Sequence, residues 1–145
     1  KDKLFFVDKY YKPELPLNLT KYLLKFANSS IDVSDGLIDD LAKMINRQSL
    51  SFHLFENKIP VSNKLSNLIK KQRLNKINLI SNGDDYQVLF TADINKARII
   101  QKASKTTGIK ITKIGKIVSG KDRSLIFDEK GKQIQAKSKG YIHQF

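Results

Sequence analysis

The amino-acid sequence predicts an α+β (layered α/β) domain, in which helices pack on a mixed β-sheet. Two observations lead to this prediction. Apolar residues at helical spacing alternate with short runs rich in β-branched and aromatic residues, and the last third of the chain has a β-hairpin pattern. The 145 residues, 40% of them hydrophobic, are enough for one domain with a buried core. The patterns leave the order of the strands open.

The first third of the chain predicts a loop, a short helix, a strand and a longer helix. Residues 1–16 contain two prolines that restrict the backbone, so an extended loop is expected there. A short amphipathic helix is expected over 18–27, and a strand over 29–33. The clearest helix spans 36–47, because its apolar residues recur at the i, i+4, i+7 and i+8 positions.

The remaining elements alternate in the same way. A strand over 51–56 precedes a helix that Pro60 opens. Residues 86–91 are aromatic and β-branched, which predicts a central strand, and a helix over 93–107 follows. A β-rich run and a hairpin are then expected at residues 109–119, 125–127 and 133–135.

The charge of the chain bears on its partners. The net charge is +13, carried mostly by scattered lysines. Arginine, the side chain that bonds guanine edges in a bidentate way, occurs only four times. We therefore favour a solvated basic face over a nucleic-acid-binding role, which stays as an alternative. The positive charge would also attract an anionic nucleotide.

Several protein classes are excluded or disfavoured by what the sequence lacks. The absence of cysteine excludes disulfides and thiolate metal sites, and it fits a reducing cytoplasm. No apolar run approaches the ~20 residues that a membrane span requires, so no membrane partner is expected. The start has neither a signal peptide pattern nor an initiator Met, so we expect a fragment whose natural N-terminal part is absent.

A first polar motif places Asp32, Ser34 and Asp35 between the strand and the clearest helix. In a strand, Asp32 and Ser34 would project from the face opposite to their apolar neighbours, and Asp35 would lie at the turn. Carboxylate oxygens there could hold one Mg²⁺, and the helix N-terminus favours phosphate. Gly36 would leave the backbone open to close approach.

The alternative interpretation of this motif is an ordinary helix start. Ser34 or Asp35 would then be the N-cap, and the aspartates would be solvated. Spacing alone favours this alternative. Asp39 and Asp40 are interpreted as surface charge rather than ligands.

A second polar motif spans residues 82–86, Asn-Gly-Asp-Asp-Tyr. Gly83 allows a turn with positive φ, and the adjacent Asp84 and Asp85 are expected to diverge, so that one could face a site. The alternative is an ordinary Asn-Gly turn before a strand.

Five short motifs gain specificity when they are taken together. Residues 30–37 are Ser-Ile-Asp-Val-Ser-Asp-Gly-Leu, and residues 82–91 are Asn-Gly-Asp-Asp-Tyr-Gln-Val-Leu-Phe-Thr. Residues 11–13 are Tyr-Lys-Pro, residues 114–117 are Ile-Gly-Lys-Ile, and residues 140–143 are Gly-Tyr-Ile-His. In the order in which they occur along the chain, and over nearly its whole length, they resemble the signatures of the thiamine-monophosphate kinase family.

The resemblance implies a fold and a reaction. Residues 1–145 would be a single domain, similar to the C-terminal domain of that kinase and of aminoimidazole ribonucleotide synthetase. The family's N-terminal domain, absent from this chain, would carry further Mg²⁺-binding aspartates, much of the ATP site and the interface of a homodimer. The family enzyme uses Mg²⁺ and ATP to phosphorylate thiamine phosphate, giving thiamine diphosphate. The fragment alone is expected to be nearly inactive.

The resemblance also implies roles for five residues. Asp32 and Asp35 would bind Mg²⁺, and Ser34 would touch an ATP phosphate. Asp84 and Tyr141 would bind thiamine phosphate, since a carboxylate and an aromatic face both suit the thiamine cation. No residue is assigned as a catalytic acid or base, because phosphoryl transfer depends mainly on charge neutralisation and positioning.

Some positions depart from the family pattern. Asn82 and Asp84 stand where the family has Gly and Glu, and Gln144 is an additional residue before Phe145. The terminal aromatic contact is therefore either Tyr141 or Phe145. The alternative functions are another ATP-dependent enzyme of the same superfamily and a non-catalytic basic module that binds nucleic acid.

Overall fold

A computed structural model describes residues 2–46 and 48–136 of the chain. The helices are α1 (Asp2–Tyr11), α2 (Thr20–Leu23), α3 (Leu37–Met44), α4 (Asn63–Gln72), α5 (Lys76–Ile80) and α6 (Ala97–Thr107). The strands are β1 (Ser29–Asp32), β2 (Leu50–Phe55), β3 (Val88–Thr91), β4 (Gly115–Ser119), β5 (Leu125–Phe127) and β6 (Gln133–Ile134). None of the helices in this part of the chain is long and apolar enough to cross a membrane.

The strands divide between two sheets. A four-stranded sheet has the order β4–β2–β5–β6, in which β2 is antiparallel to β4 and parallel to β5. Strands β1 and β3 form a separate antiparallel pair. Successive side chains of a strand face opposite sides, so Leu89 packs on a larger apolar core and Phe90 on a smaller one. The predicted α+β class with a mixed sheet is confirmed, whereas a single sheet was wrong.

The larger core connects the elements that lead into both polar motifs. Its buried apolar residues include Leu37, Ile38 and Leu41 of α3, Phe52 and Leu54 of β2, Ile77 and Ile80 of α5, and Ile126 of β5. Burying a side chain of this size contributes roughly 1.5–3 kcal/mol. The start of α3 and the end of α5 are therefore fixed to the same core.

The N-terminal region differs from its prediction. Residues expected to be an extended loop form α1, because no proline or glycine interrupts the helix before Pro13. Several of its apolar side chains are exposed, with Leu4 73% and Tyr11 76% exposed, while Phe5 and Phe6 are half-buried. The helix expected over 18–27 is a 3-10 turn at Leu17–Leu19 followed by the short α2.

The C-terminal hairpin is confirmed. Strands β5 and β6 are antiparallel, with Phe127 opposite Gln133. In the turn, Asp128 Oδ1 accepts the backbone N–H groups of Lys130 at 2.9 Å and Lys132 at 2.8 Å. Of the β-rich run predicted over 109–119, only β4 is a strand.

Candidate functional site

Backbone hydrogen bonds join the two polar motifs. Beyond the β1–β3 ladder, the N–H of Val33 donates to the carbonyl of Gln87 at 2.9 Å, and the N–H of Tyr86 donates to the carbonyl of Val33 at 2.8 Å. The N–H of Asp84 donates to the carbonyl of Ser34 at 2.8 Å. The two motifs, far apart in sequence, therefore form one continuous surface.

Two glycines make this close approach possible. Gly36 has a φ of +119°, and a Cβ there would lie 2.4 Å from the carbonyl oxygen of Ser81. Gly83 has a φ of +81°, and a Cβ there would lie 2.3 Å from the carbonyl oxygen of Ser34. The missing side chain of Gly36 makes room for the backbone of Ser81, which leads into the second motif. The missing side chain of Gly83 makes room for the backbone of Ser34 in the first motif.

The side chain of Asp40 binds the backbone of the first motif. Its side chain is buried, and Oδ2 accepts the backbone N–H groups of Ser34 at 2.9 Å, Asp35 at 3.0 Å and Gly36 at 3.2 Å. Converging amides stabilise an anion, and charge-assisted hydrogen bonds of this kind are among the stronger ones. The interpretation of Asp40 as surface charge is therefore wrong.

The expected N-cap of α3 is also wrong. The N-cap residue is Gly36, which has no side chain to form a cap bond. Asp40 supplies the acceptor instead, from inside the helix. The residues thought to cap the helix, Ser34 and Asp35, present their own N–H groups to it.

An acidic cluster lies beside this loop. It consists of Asp35, Asp39 and Asp40, whose nearest carboxylate oxygens all lie within 4.8 Å of one another. Lys43 Nζ pairs with Asp35 Oδ2 and lies 2.7 Å from Asp39 Oδ2 and 3.3 Å from Asp40 Oδ1. The three carboxylates, Asp35 foremost, raise the pKa of Lys43 above its usual range. Three such oxygens are also a donor set that suits a hard divalent cation.

Asp32, the other predicted metal ligand, lies outside the acidic cluster. It is exposed at the end of β1, while its neighbours Ile31 and Val33 are half-buried and buried. This alternation agrees with the face expected for Asp32. The structure thus brings Asp35 together with Asp39 and Asp40, and it keeps Asp32 on the adjacent strand.

Ser34 belongs to the first motif and contacts the second. It is half-buried, its N–H is bonded to Asp40, and its carbonyl is bonded to Asp84. Within residues 2–46 and 48–136, no hydrogen bond occupies its hydroxyl. The backbone of Ser34 is therefore fixed by bonds to Asp40 and Asp84.

The second motif has an unusual backbone. Gly83, Asp84 and Tyr86 all have positive φ, with values of 81°, 60° and 50°. A tyrosine in this region is uncommon, and a residue held there costs roughly 1–3 kcal/mol. The hydrogen bonds to the first motif hold this conformation, so the shape of one motif depends on the other.

The side chains of the second motif are polar and exposed. Tyr86 Oη donates to Asp84 Oδ1 at 3.2 Å, and this bond with the Asp84 charge raises the pKa of Tyr86. Asp32 adds a smaller effect of the same sign. Desolvation of the Asp85 carboxyl, followed by the charge of Asp84, raises the pKa of Asp85, although the residue as a whole is exposed.

Tyr141 lies outside the described residues, as does Phe145.

The sequence analysis did not predict two residues of the site. Asp40 and Lys43 were not among the predicted site residues, although helical spacing contained part of the signal. Lys43 follows Asp39 by four positions and Asp40 by three, which favours side-chain pairing on one face of a helix. The burial of Asp40 had no local signal.

Comparison with curated proteins identifies thiamine-monophosphate kinases among the relatives of this chain. No protein-family model matches the chain. The thiamine-monophosphate kinase of Buchnera aphidicola subsp. Acyrthosiphon pisum is 34% identical over 143 residues, which cover 96% of this chain and 42% of that protein. The enzyme of the same name from Escherichia coli K12 is 27% identical over 143 residues, covering 99% and 43%.

Solved structures agree. The structure of thiamine monophosphate kinase from Aquifex aeolicus has a TM-score of 0.66 and 26% identity, covering 92% of this chain and 42% of that one. The structure of AaThiL complexed with AMPPCP and TMP has a TM-score of 0.70 and 26% identity, covering 97% and 42%. Escherichia coli HypE, a hydrogenase maturation protein, is 14% identical with a TM-score of 0.64 and shares the fold.

These relatives confirm the family resemblance that the five motifs predicted. The chain spans about two-fifths of the length of the curated relatives just described, 42% and 43%. The chain is therefore homologous to thiamine-monophosphate kinases over about two-fifths of their length.

Proposed function

We propose that the protein carrying this chain is a thiamine-phosphate kinase, converting ATP and thiamine phosphate to ADP and thiamine diphosphate. The observation that carries the proposal is the hydrogen bond from Asp84 to Ser34, which joins two family-like motifs into one site. The kinase relatives and the AaThiL complex with AMPPCP and TMP support the same substrates for this site.

The reaction would be a direct phosphoryl transfer. The bond between the γ-phosphorus of ATP and its bridging oxygen breaks, and a new bond forms to a terminal oxygen of thiamine phosphate. Both reactants are anions, so charge neutralisation and in-line positioning matter more than a strong base. For this reason no residue of the chain is given the role of general base.

The first motif would hold the metal and the nucleotide. Asp32 and Asp35 would hold Mg²⁺, and the donor set around Asp35 fits such a hard cation. When bound, Mg²⁺ neutralises charge on the phosphates. Asp40 would keep the loop in shape, and the hydroxyl of Ser34 would contact an ATP phosphate.

The second motif would bind the other substrate. The carboxylate of Asp84 would lie near the positive ring of thiamine, and the bond from Tyr86 orients that carboxylate. Tyr141 would offer an aromatic face to the same cation. Because Asp84 is one methylene shorter than Glu, the substrate would approach the backbone of this motif more closely.

We also propose that the chain is the C-terminal domain of a two-domain, homodimeric cytoplasmic enzyme. The curated relatives are more than twice its length, and the described part has one acidic cluster of three carboxylates. An N-terminal domain would supply further Mg²⁺ ligands and much of the ATP site. The isolated 145 residues would accordingly be nearly inactive.

The test is an assay of the full-length gene product with ATP, Mg²⁺ and thiamine phosphate, in which thiamine diphosphate is quantified by chromatography. Asp32→Asn should lower kcat/KM by at least roughly 100-fold. Asp84→Ala should raise the KM for thiamine phosphate about tenfold and leave the KM for ATP nearly unchanged.

The matched control is Glu129→Gln, which removes an exposed carboxylate at the hairpin turn and should retain wild-type kinetics. No product from the intact enzyme would overturn the proposed reaction. Wild-type turnover in both site variants would overturn the residue roles while leaving the reaction in place.

A further inference from the structure

We infer that one side of helix α1 is the docking surface for the N-terminal domain of the full-length protein. This surface, here called the α1 stripe, consists of Leu4, Val7 and Tyr11. The inference rests on the proposed function in taking the chain to be the C-terminal domain of a two-domain enzyme. It names the residues of this chain that the other domain would cover.

The α1 stripe is a continuous apolar surface that faces solvent. Its residues recur at the i, i+3 and i+7 positions, which places them within about 60° of one another around the helix axis. Leu4 is 73%, Val7 41% and Tyr11 76% exposed. Single exposed apolar residues are ordinary, whereas a row of them along one helix indicates an interaction surface.

Helix α1 contacts its own domain through a different side. Phe5 and Phe6 are half-buried, and the helical period places them away from the α1 stripe. Nζ of Lys64 in α4 lies 4.4 Å from the centre of the Phe5 ring. The helix is therefore apolar on the side that meets the domain and on the side that meets solvent, a pattern typical of a helix buried between two packed layers.

The charges of α1 favour a protein surface as the occupant of the α1 stripe. The helix contains two acidic and two basic residues, Asp2, Lys3, Asp8 and Lys9. An anionic lipid surface attracts helices whose polar side carries an excess of lysine and arginine. Helix α1 has no such excess, so an apolar surface of another folded domain is the better match.

The place of α1 in the fold indicates which domain this is. It is the first element of a chain that spans 42% and 43% of its Buchnera and Escherichia coli K12 relatives. In a protein of that length, a preceding domain would join this chain directly at α1. The α1 stripe would then be the first apolar surface that this domain meets.

The end of α1 also lies close to the second motif. Nε2 of Gln87 donates to the carbonyl of Glu14 at 3.4 Å, which holds the segment after the helix against this motif. The hydrogen bond and charge of Asp84 are the main causes that raise the pKa of Tyr86, and the charge of Tyr10 adds a smaller effect. A domain seated on the α1 stripe would therefore adjoin the proposed substrate site.

The test measures how fast a maleimide reagent labels a single cysteine in the native full-length protein. The 145 residues contain no cysteine, so peptide mass spectrometry assigns each new thiol without ambiguity. Leu4→Cys should be labelled about tenfold more slowly than Ile94→Cys, because the docked domain excludes the reagent. Ile94 is the matched control, an apolar residue that is 84% exposed in the 3-10 turn before α6.

Two further measurements make the labelling result specific. In guanidinium chloride the two cysteines should react at equal rates, which shows that the difference depends on the fold. Val7→Cys provides a second position on the α1 stripe and should be protected like Leu4→Cys. Native labelling of both stripe variants as fast as Ile94→Cys would overturn the inference.

A photo-crosslink identifies what covers the α1 stripe. Tyr11 is replaced by p-benzoylphenylalanine, which keeps an aromatic ring and attaches to neighbouring groups on irradiation. Attachment to a peptide that precedes Lys1 in the same chain is expected, and a mixture of isotopically light and heavy protein separates this from attachment between copies. Attachment to a second copy, or to no peptide before Lys1, would overturn the inference.

These experiments separate the inference from the proposed reaction. Neither readout uses ATP or thiamine phosphate, so a failed kinase assay would leave the docking result standing. The intact mass of the purified gene product tests the two-domain proposal directly. A product with no residues before Lys1 would overturn that proposal and the docking surface together.

Discussion

The backbone N–H of Asp84 donates to the carbonyl of Ser34 at 2.8 Å, and this bond ties the thiamine-binding candidate to the phosphate-binding candidate. Gly83, immediately before Asp84, lies against the same carbonyl. The relative position of the two motifs therefore depends on backbone packing. Three consequences can be measured on the folded protein without substrates.

Gly83→Ala should destabilise the protein by about 2–3 kcal/mol. The new Cβ would lie 2.3 Å from the carbonyl oxygen of Ser34, and φ is +81°. Gly108→Ala is the matched control, because it has a φ of +70° with no atom within 4 Å of the new Cβ. The control should cost about 1 kcal/mol in urea unfolding. Equal losses in the two variants would show that the contact with Ser34 is unimportant.

Asp40→Asn should cost about 2 kcal/mol of unfolding free energy. The amide keeps one acceptor oxygen but loses the charge that three N–H groups stabilise. Asp39→Asn, one position earlier and half-buried, should cost less than about 1 kcal/mol, because Asp39 pairs with Lys43 near the surface. A larger loss for Asp39→Asn than for Asp40→Asn, measured by guanidinium unfolding, would contradict the role given to Asp40.

Asp85→Asn should stabilise the protein slightly at pH 7. Desolvation and the Asp84 charge raise the pKa of Asp85 in the folded state, so its ionised form is disfavoured there. The folded-state penalty is complete above the raised pKa and disappears as the pH falls below the ordinary value of 3.8, where both states are protonated.

The expected gain for Asp85→Asn is about 0.5 kcal/mol at pH 7, since solvent screens an exposed residue. The difference from wild type should vanish near pH 3 in a series of urea melts. Glu129→Gln, at an exposed turn position, serves as the comparison. A gain that persists unchanged at pH 3 would point to a cause other than ionisation of Asp85.

Helices and strands were predictable from the sequence where neighbouring residues carry the whole signal. Helix α3 was predicted because its apolar residues follow the helical period, and strand β3 because its residues are aromatic and β-branched. The central position expected for β3 was wrong, because β3 lies in a two-stranded sheet with β1. The end of the helix predicted over 93–107 was also correct, and the C-cap residue Gly108 has the left-handed conformation that glycine adopts readily. In each case the signal lies within a few neighbouring residues.

Other features required contacts between distant segments. Helix α1 was not predicted, because its apolar residues, several of them exposed, form no amphipathic pattern along Asp2–Tyr11. The separation of β1 and β3 from the other strands follows from two cores on opposite faces of that pair. No periodicity along a single segment contains this information.

The sequence by itself determined which residue types the site has, since the motifs around Asp32 and Asp84 carried the family resemblance. Only the tertiary structure decided which other residues support the first motif. Asp40 is buried beneath this motif, and Lys43 pairs with the carboxylate of Asp35. Burial and ion pairing depend on which surfaces exclude water. That is a property of the packed chain, whereas chemical type and periodicity can be taken from the residues in order.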